Sequence, residues 1–486
     1  TYERTTRSMR APKKLSREVR RLHTSYNPTQ DAMNVAVALV GGTMDGYENP
    51  ETFREAWNHR DPVERSKWRV AIRKEFGDMI KRKVWNYTSV SNIPPNRRLI
   101  GVRFVNKLKG NGVYRARLVA KGYTQVPGVD HMDSFAPVIT DVAYRIVLVL
   151  MLINNYIGEI VDVETAFLYG ELEEEIYMEI PDGLGIYLNK KFGRDDCLVL
   201  NRAIYGLVQA ARQFYKKLIT VLVGKMKFVK CFADQCLLRR STTKGIVIIC
   251  IYVDDTLCVG NKEAITEFKE EIKNYFNTKE EGIVNEYVGC KLLINNNTLY
   301  MYQSELIKKI YNTFREEIKD VKKYGTPGAP GEIIRRCTDK KKVISADRQT
   351  RYRCGVGMLL YLVKFSRPDI ANSVRELSKS NDGATTAHYK NLLRTIKFVM
   401  DTKDTVLNYE IDRKTNFKKL KWEIKAYSDS DFAGDKDNRI SITGFCIYLE
   451  NCLISWRSRA QKHVTLSSSE SRVRRSFGSM YGNSIY

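Results

Sequence analysis

Asp254 and Asp255 stand side by side in "IYVDDTLC", straight after the apolar run "GIVIIC". Such a run reads as a buried strand, and strands disfavour Asp. One unpaired buried carboxylate is costly, and two are worse. A third strand-associated acid, Asp162, lies in "EIVDVETAF". If the two strands are neighbours, three carboxylates converge at one sheet edge. They then repel one another and raise one another's pKa. Hard divalent cations relieve that repulsion, because they take carboxylate oxygens. Two such ions about 3.5–4 Å apart activate an attacking hydroxyl and stabilise a leaving pyrophosphate. The chemistry implied is nucleotidyl transfer with two Mg2+ ions. An isolated Asp-Asp pair is more often a turn or a helix cap. The apolar strand before this pair, and a second Asp in matching context, favour the metal reading.

The elements that must hold these residues alternate between strand and helix. Phe53 and Trp57 mark a short helix, and Trp68, Ile72, Phe76 and Ile80 recur every four residues on a second. "RLIGVRFVNKLK" and "VYRARLVAKGYTQ", joined by "GNG", read as a hairpin whose alternation puts Arg115, Arg117 and Lys121 on one face. "SFAPVITDVAYRIVLVLMLINN" reads as a turn into a buried helix. "GEIVDVETAFLYGELEEEIYMEI" reads as two strands around a turn, and "LNRAIYGLVQAARQFYKKLITVLVG" as one helix. "CLLRRSTTKGIVIICIYVDDTLCVG" reads as strand, turn, strand, and "NKEAITEFKEEIKNYF" as a capped helix. The order predicts a mixed α/β (α+β) fold with a largely antiparallel sheet.

Composition narrows the partners. The 486 residues carry 81 Lys and Arg against 56 Asp and Glu, for a net charge of +25. That excess suits a polyanion, with nucleic acid first and an anionic membrane second. The ten cysteines form no Cys-x-x-Cys pair, and with five histidines no zinc pattern emerges. Free thiols in a reducing compartment are the expectation. The longest apolar run, "RIVLVLMLINNY", is too short to span a bilayer.

Several longer blocks carry a resemblance. "YRARLVAKGYTQVPGVDHMDSFAPV", "VDVETAFLYGELEEEIYMEIPDG", "LNRAIYGLVQAARQFYKKL", "YRCGVGMLLYLVKFSRPDIANSV" and "YSDSDFAGDKDNRISITGFCIYL" resemble the pol polyprotein of copia-type LTR retrotransposons, in the family's order. "YVDD" resembles the catalytic signature of reverse transcriptases. The resemblance implies a right-hand polymerase with fingers, palm and thumb, followed by a connection and an RNase H region. It implies an RNA template, a DNA primer and deoxynucleotides as partners, Mg2+ (or Mn2+) as cofactor, and an intracellular setting in a cytoplasmic particle or the nucleus. Asp162, Asp254 and Asp255 would be the palm triad, with Asp255 the less direct ligand. Phe167 matches an aromatic beneath the incoming sugar that would clash with a 2′-hydroxyl; ordinary core packing is the competing account. Arg117 and Lys121 match fingers cations that hold the triphosphate, against a solvated basic face. Gln209 matches a glutamine lining the nucleotide site. Tyr252 would sit near the primer terminus, or serve only as a good strand residue. Lys308 and Lys309 begin the thumb and are expected on phosphates of the duplex, against a solvated helix face.

The C-terminal region departs from the pattern. Asp429 in "AYSDSDFAG" matches the first RNase H carboxylate. In "SSSESRVRRSF", Glu470 matches the first Glu of the family's "TEAEY"-like segment, but Arg472 stands at the catalytic one. An Arg repels Mg2+, and the chain stops before the family's remaining aspartates, so RNase H activity is not expected. The reading divides the chain into a flexible basic arm (1–48), polymerase (49–320), linker and connection (321–419) and a truncated RNase H-like region (420–486), as part of a longer polyprotein. The alternative is a decayed retroelement remnant without catalysis that retains at most nucleic-acid binding.

Overall fold

The computed structural model describes residues 47–110, 112–411, 422–435 and 437–462. The basic arm therefore lies almost wholly outside the described residues, as do Asn111, Glu470 and Arg472. Helices α1 (Phe53–Trp57) and α2 (Pro62–Lys81) come first. Thr52 caps α1 and Asp61 caps α2, each accepting backbone N–H groups of the first turn. The buried stripe of α2 is Trp68, Ile72, Phe76 and Met79, whereas Ile80 is 38% exposed. The four-residue spacing pointed to Ile80. At about 100° per residue, Met79 returns to within roughly 20° of Trp68, while Ile80 has drifted roughly 120°.

Strands β1 (Trp85–Ser89), β2 (Leu99–Ile100), β3 (Val102–Leu108) and β4 (Tyr114–Ala120) follow. β3 and β4 form the expected antiparallel ribbon, with Ala116, Leu118 and Ala120 on its buried face. Next come α3 (Asp141–Ile153), β5 (Ile157–Val163), β6 (Glu171–Glu179), α4 (Leu184–Leu188), β7 (Asp196–Arg202) and α5 (Ala210–Ile219). Strands β1, β7, β6 and β2 make a four-stranded sheet in that order. The single helix expected from Leu200 onward is thus corrected: β7 runs to Arg202, and α5 starts at Ala210. The turn between them is fixed from outside. Ala120 N–H donates to Tyr205 O at 2.8 Å. Gly206, at φ +90°, lies so close that a Cβ would fall 2.1 Å from Ala120 O. Only glycine fits there.

β8 (Val229–Lys230), β9 (Leu237–Thr242), β10 (Gly245–Tyr252), β11 (Asp255–Gly260), α6 (Lys262–Ile272) and β12 (Thr278–Ile283) complete a six-stranded sheet of order β12-β5-β11-β10-β9-β8. All its pairs are antiparallel. Its apolar strands are buried by α3, which packs on β11, and by α6, which packs on β5, β10 and β11. Asn261 precedes α6 without capping it; its Oδ1 accepts the Ile246 N–H instead.

The remainder comprises β13 (Glu286–Tyr287), β14 (Cys290–Asn295), β15 (Thr298–Tyr302), α7 (Ser304–Ile318), α8 (Ala346–Phe365), α9 (Ala371–Ser378), α10 (Thr386–Asp401), β16 (Leu407–Glu410), β17 (Ile424–Ser430), β18 (Ile442–Leu449) and β19 (Cys452–Ala460). β13-β14-β15-β16 form one sheet and β17-β18-β19 another. Val288 and Gly289 both have positive φ and close the tight turn from β13 to β14. The Gly/Pro-rich stretch after α7 is pinned rather than loose: Thr395 Oγ1 donates to Pro327 O, and Ile334 is buried.

Two cores result. One, from Phe53 to Ala210, lies under the ribbon and the four-stranded sheet. The other runs from Ile139 to Ile454 and includes residues on both sides of positions 320 and 420. Phe167 packs against both. No helix among the described residues is long and apolar enough to cross a membrane.

Candidate active site

The carboxylates expected to converge lie on adjacent strands. Asp162, near the end of β5, is the register partner of Asp255, the first residue of β11. Direct partners on antiparallel strands share a face, so the two side chains flank each other, which like charges oppose. Asp254 lies in the turn from β10 to β11, where Tyr252 pairs with Asp255 across a two-residue loop. The other loop residue, Val253, has φ +58°. A β-branched residue in the left-handed region is strained, and such outliers cluster at functional sites.

Electrostatics record the crowding. Burial, then the Asp254 charge, pushes Asp162 above the usual carboxylate range. Burial, Asp254 and Asp162 push Asp255 up to about 7. Glu281, at the bulge of β12, acts on both in the same direction and pairs with Lys279 at 3.3 Å. Among the described residues, no three His, Cys, Asp or Glu side chains already stand as a metal-binding group. The donor set still suits a hard cation: oxygen ligands only, mutually repelling, on adjacent strand positions. The backbone brings them together on adjacent positions of β5, β11 and the turn before it.

Facing the carboxylates is the ribbon. Arg115 is the cross-strand partner of Lys107, another like-charge pair. Burial and neighbouring cations, Lys309 of α7 among them for Lys107, hold the Lys107 and Lys109 ammonium groups down; Asp162 acts the opposite way on Lys109. Arg115 and Lys109 in turn favour the charged form of Asp162. The Arg117 guanidinium lies 4.3 Å from the centre of the Tyr205 ring, and its Nε is buried without a hydrogen-bond partner. Tyr205 in turn packs against Phe167, with ring centres 4.7 Å apart and the planes tilted by 60°. Burial raises the Tyr205 phenol, and Arg117, Arg115 and Asp254 all act on it. Phe167, Tyr205, Arg117 and the aspartates therefore border one site.

Other expected residues are placed differently. Lys121 follows β4 and folds along Gly101, lining a cavity of about 710 Å³ with Arg103 and Asp182; it is not among the main charges acting on Asp162 or Asp255. Gln209 is fully buried, and its amide is engaged inside the fold. Its Nε2 donates to Asp130 O at 2.9 Å, and its Oε1 accepts from Gln125 Nε2 at 3.0 Å. It fastens the loop after β4 to α5. The residue of this segment whose electrostatics feel an aspartate is Tyr205, through Asp254. Tyr252 lies beside Asp255, its phenol raised by burial and by Asp141 and Asp255. Lys308 is exposed on α7, and Lys309 is half-buried near Cys354 and the ribbon. Asp429 is exposed on β17, opposite Gly444.

The sequence reading missed Tyr205, Lys109 and Glu281. For Lys109, a signal existed: period-two alternation puts Lys107 and Lys109 on the face of Arg115 and Arg117. For Tyr205 none did, because it was read as helical.

Residues 83–328 match the family model described as "Reverse transcriptase (RNA-dependent DNA polymerase)". The chain is similar to the Retrovirus-related Pol polyprotein from transposon TNT 1-94 of Nicotiana tabacum, at 30% identity over 87% of this chain and 31% of that protein. It is similar to the Pol polyprotein from transposon RE1 of Arabidopsis thaliana, at 33% identity over 84% of this chain and 27% of the relative. It thus spans about a third or less of the length of these relatives. A solved structure of the foamy viral protease-reverse transcriptase in complex with RNA/DNA hybrid overlaps 97% of this chain and 53% of its own, at TM-score 0.40 and 11% identity. The chain belongs to the reverse transcriptase (RNA-dependent DNA polymerase) family, in its copia-type branch of transposon Pol polyproteins.

Proposed function

We propose that this chain copies RNA into DNA by transferring nucleotides to a primer, at the site bordered by Asp162, Asp254 and Asp255. The observation that carries the reading is the direct pairing of Asp162 with Asp255 opposite a cationic ribbon. Acids and bases arranged this way suit a substrate with a triphosphate and a reacting hydroxyl. Arg117, Arg115 and Lys109 hold the triphosphate as charge develops on it. Arg117 is seated for that task on the Tyr205 ring. Phe167, fixed between Tyr205 and two cores, walls the sugar pocket. Tyr252 and the strained turn aim Asp254 at the primer end. Lys308 and Lys309 steady the duplex through its phosphates. Asp162 and Asp254, with Asp255 beside them, would hold two Mg2+ ions (or Mn2+), which would supply Lewis acidity for activating the hydroxyl and stabilising the leaving pyrophosphate. Arg472 stands where the resemblance expects a carboxylate, so RNA cleavage is not part of the proposed activity.

The test is primer extension on an RNA template with Mg2+. Wild type incorporates deoxynucleotides, and Asp254→Asn reduces incorporation by at least about a thousandfold. Incorporation that survives in Asp254→Asn refutes the assignment. Duplex binding without any incorporation in wild type leaves only a binding protein.

A further inference from the structure

Helix α3 carries a buried cation that the proposed nucleotide site does not use. Arg145 is 3% exposed, and no carboxylate among the described residues lies within ion-pair distance of it. Its partners come from two distant parts of the chain. Nη1 donates to Ile454 O of β19 at 3.2 Å, and Nη2 donates to Lys364 O near the end of α8. Its guanidinium lies 3.8 Å from the centre of the Trp456 ring on β19. The Trp456 indole N–H closes the arrangement by donating to Val363 O at 2.9 Å. The Tyr409 hydroxyl donates to Leu453 O at 2.7 Å, fastening β16 to the same strand. A desolvated guanidinium held by carbonyl dipoles and one aromatic face depends on all of them, since removing one leaves an uncompensated charge.

The segment just before α3, five residues ahead of Arg145, reaches the chemistry. Just before the helix, Ile139 N–H donates to Ile251 O at 3.0 Å, and Thr140 N–H donates to Asp234 Oδ2 at 2.8 Å. Ile251 is the residue before Tyr252, at the end of β10, and the strained turn bearing Asp254 comes next.

We propose that the C-terminal three-stranded sheet braces the polymerase site. β19 clamps Arg145, Arg145 fixes α3, and the segment leading into α3 holds the end of β10 just ahead of Asp254. Arg145 and Trp456 are positioning residues, and the sheet, whatever nuclease it resembles, is part of the polymerase. The activity arm of the test rests on the polymerase reading, but the brace itself does not.

The experiment uses the full chain with Trp456→Ala, Trp456→Phe and Arg145→Lys. Hydrogen exchange at Ile139, Thr140 and Ile251 reads the brace directly. Trp456→Ala speeds exchange there by about tenfold, the effect expected for coupling energies of this kind. Trp456→Phe, which keeps a ring but loses the indole N–H, falls between it and wild type. Primer extension shows a similar loss in kcat with the nucleotide KM within about twofold, because no substrate contact is removed. Faster exchange in β19 with wild-type exchange at Ile139 and Ile251 overturns the proposal. So does a wild-type kcat. Should Trp456→Ala not fold, Trp456→Phe and Arg145→Lys carry the same comparison. Should wild type not incorporate nucleotides, the polymerase reading fails and the exchange data alone decide the brace.

Discussion

Phe167 touches Tyr205 on one side and two cores on the others, so its ring has little freedom. That rigidity is what separates a selective wall from a passive core residue: a wall must not yield when a 2′-hydroxyl arrives. Phe167→Val shortens the wall while keeping an apolar side chain. Its ratio of deoxynucleotide to ribonucleotide incorporation, measured as kcat/KM for each, is expected to fall by about tenfold or more. A variant that loses stability but keeps its discrimination shows that Phe167 only packs. Arg117 shows the same coupling from the other side. Its guanidinium sits on Tyr205, and its buried Nε has no hydrogen-bond partner. Gln209, assigned to this site from the sequence, has its amide engaged elsewhere.

At the scale of elements, β4 is held from behind by α2. Glu75 of α2 is buried, accepts the Leu118 N–H at 2.9 Å and faces Arg117, Arg115 and Asp78. Burial dominates and raises its carboxyl to about 7, despite the hydrogen bond and the two arginines. The folded protein therefore holds this proton more tightly than the unfolded chain. The stability so gained is full below the unfolded value near 4.5 and is lost as pH rises through about 7. Glu75→Gln retains an acceptor and has no charge. Its unfolding free energy should lose less than that of wild type between pH 5 and pH 8, by on the order of 3 kcal/mol. Equal pH slopes would show that Glu75 does not set this dependence. The ribbon it supports was legible in sequence because alternation at period two is a local signal. The start of α5 was not, because the turn before it depends on Gly206 meeting Ala120, residues far apart in the chain. The same limit applies to Asp162 and Asp255. Their types were legible, whereas their register required knowing which strands pair. Arg145 gave no local signal at all, since its partners lie more than two hundred residues away.

Across the whole molecule, the net charge is +25, and some of its cations stand near the aspartates. Lys107 on the ribbon senses Lys309 on α7, so cations from two separate units face one another with the aspartates nearby. Such mutual repulsion is unfavourable in the free protein and is relieved by a polyanion between them. Duplex binding should then be salt-dependent, with the logarithm of affinity falling as the logarithm of salt rises, by about 0.9 for each phosphate neutralised. Lys308→Ala combined with Lys309→Ala removes two such charges from α7. For an RNA–DNA hybrid, the magnitude of that slope is expected to drop by roughly 1 to 2, with little change in preference between sequences. Lys230, on β8 at the opposite edge of the six-stranded sheet, serves as the control, and its replacement by Ala leaves the slope as it was. If both substitutions shift the slope equally, the charge acts as a diffuse field and α7 is not a phosphate-binding face. If only the α7 pair does, α7 is a phosphate-binding face for the duplex.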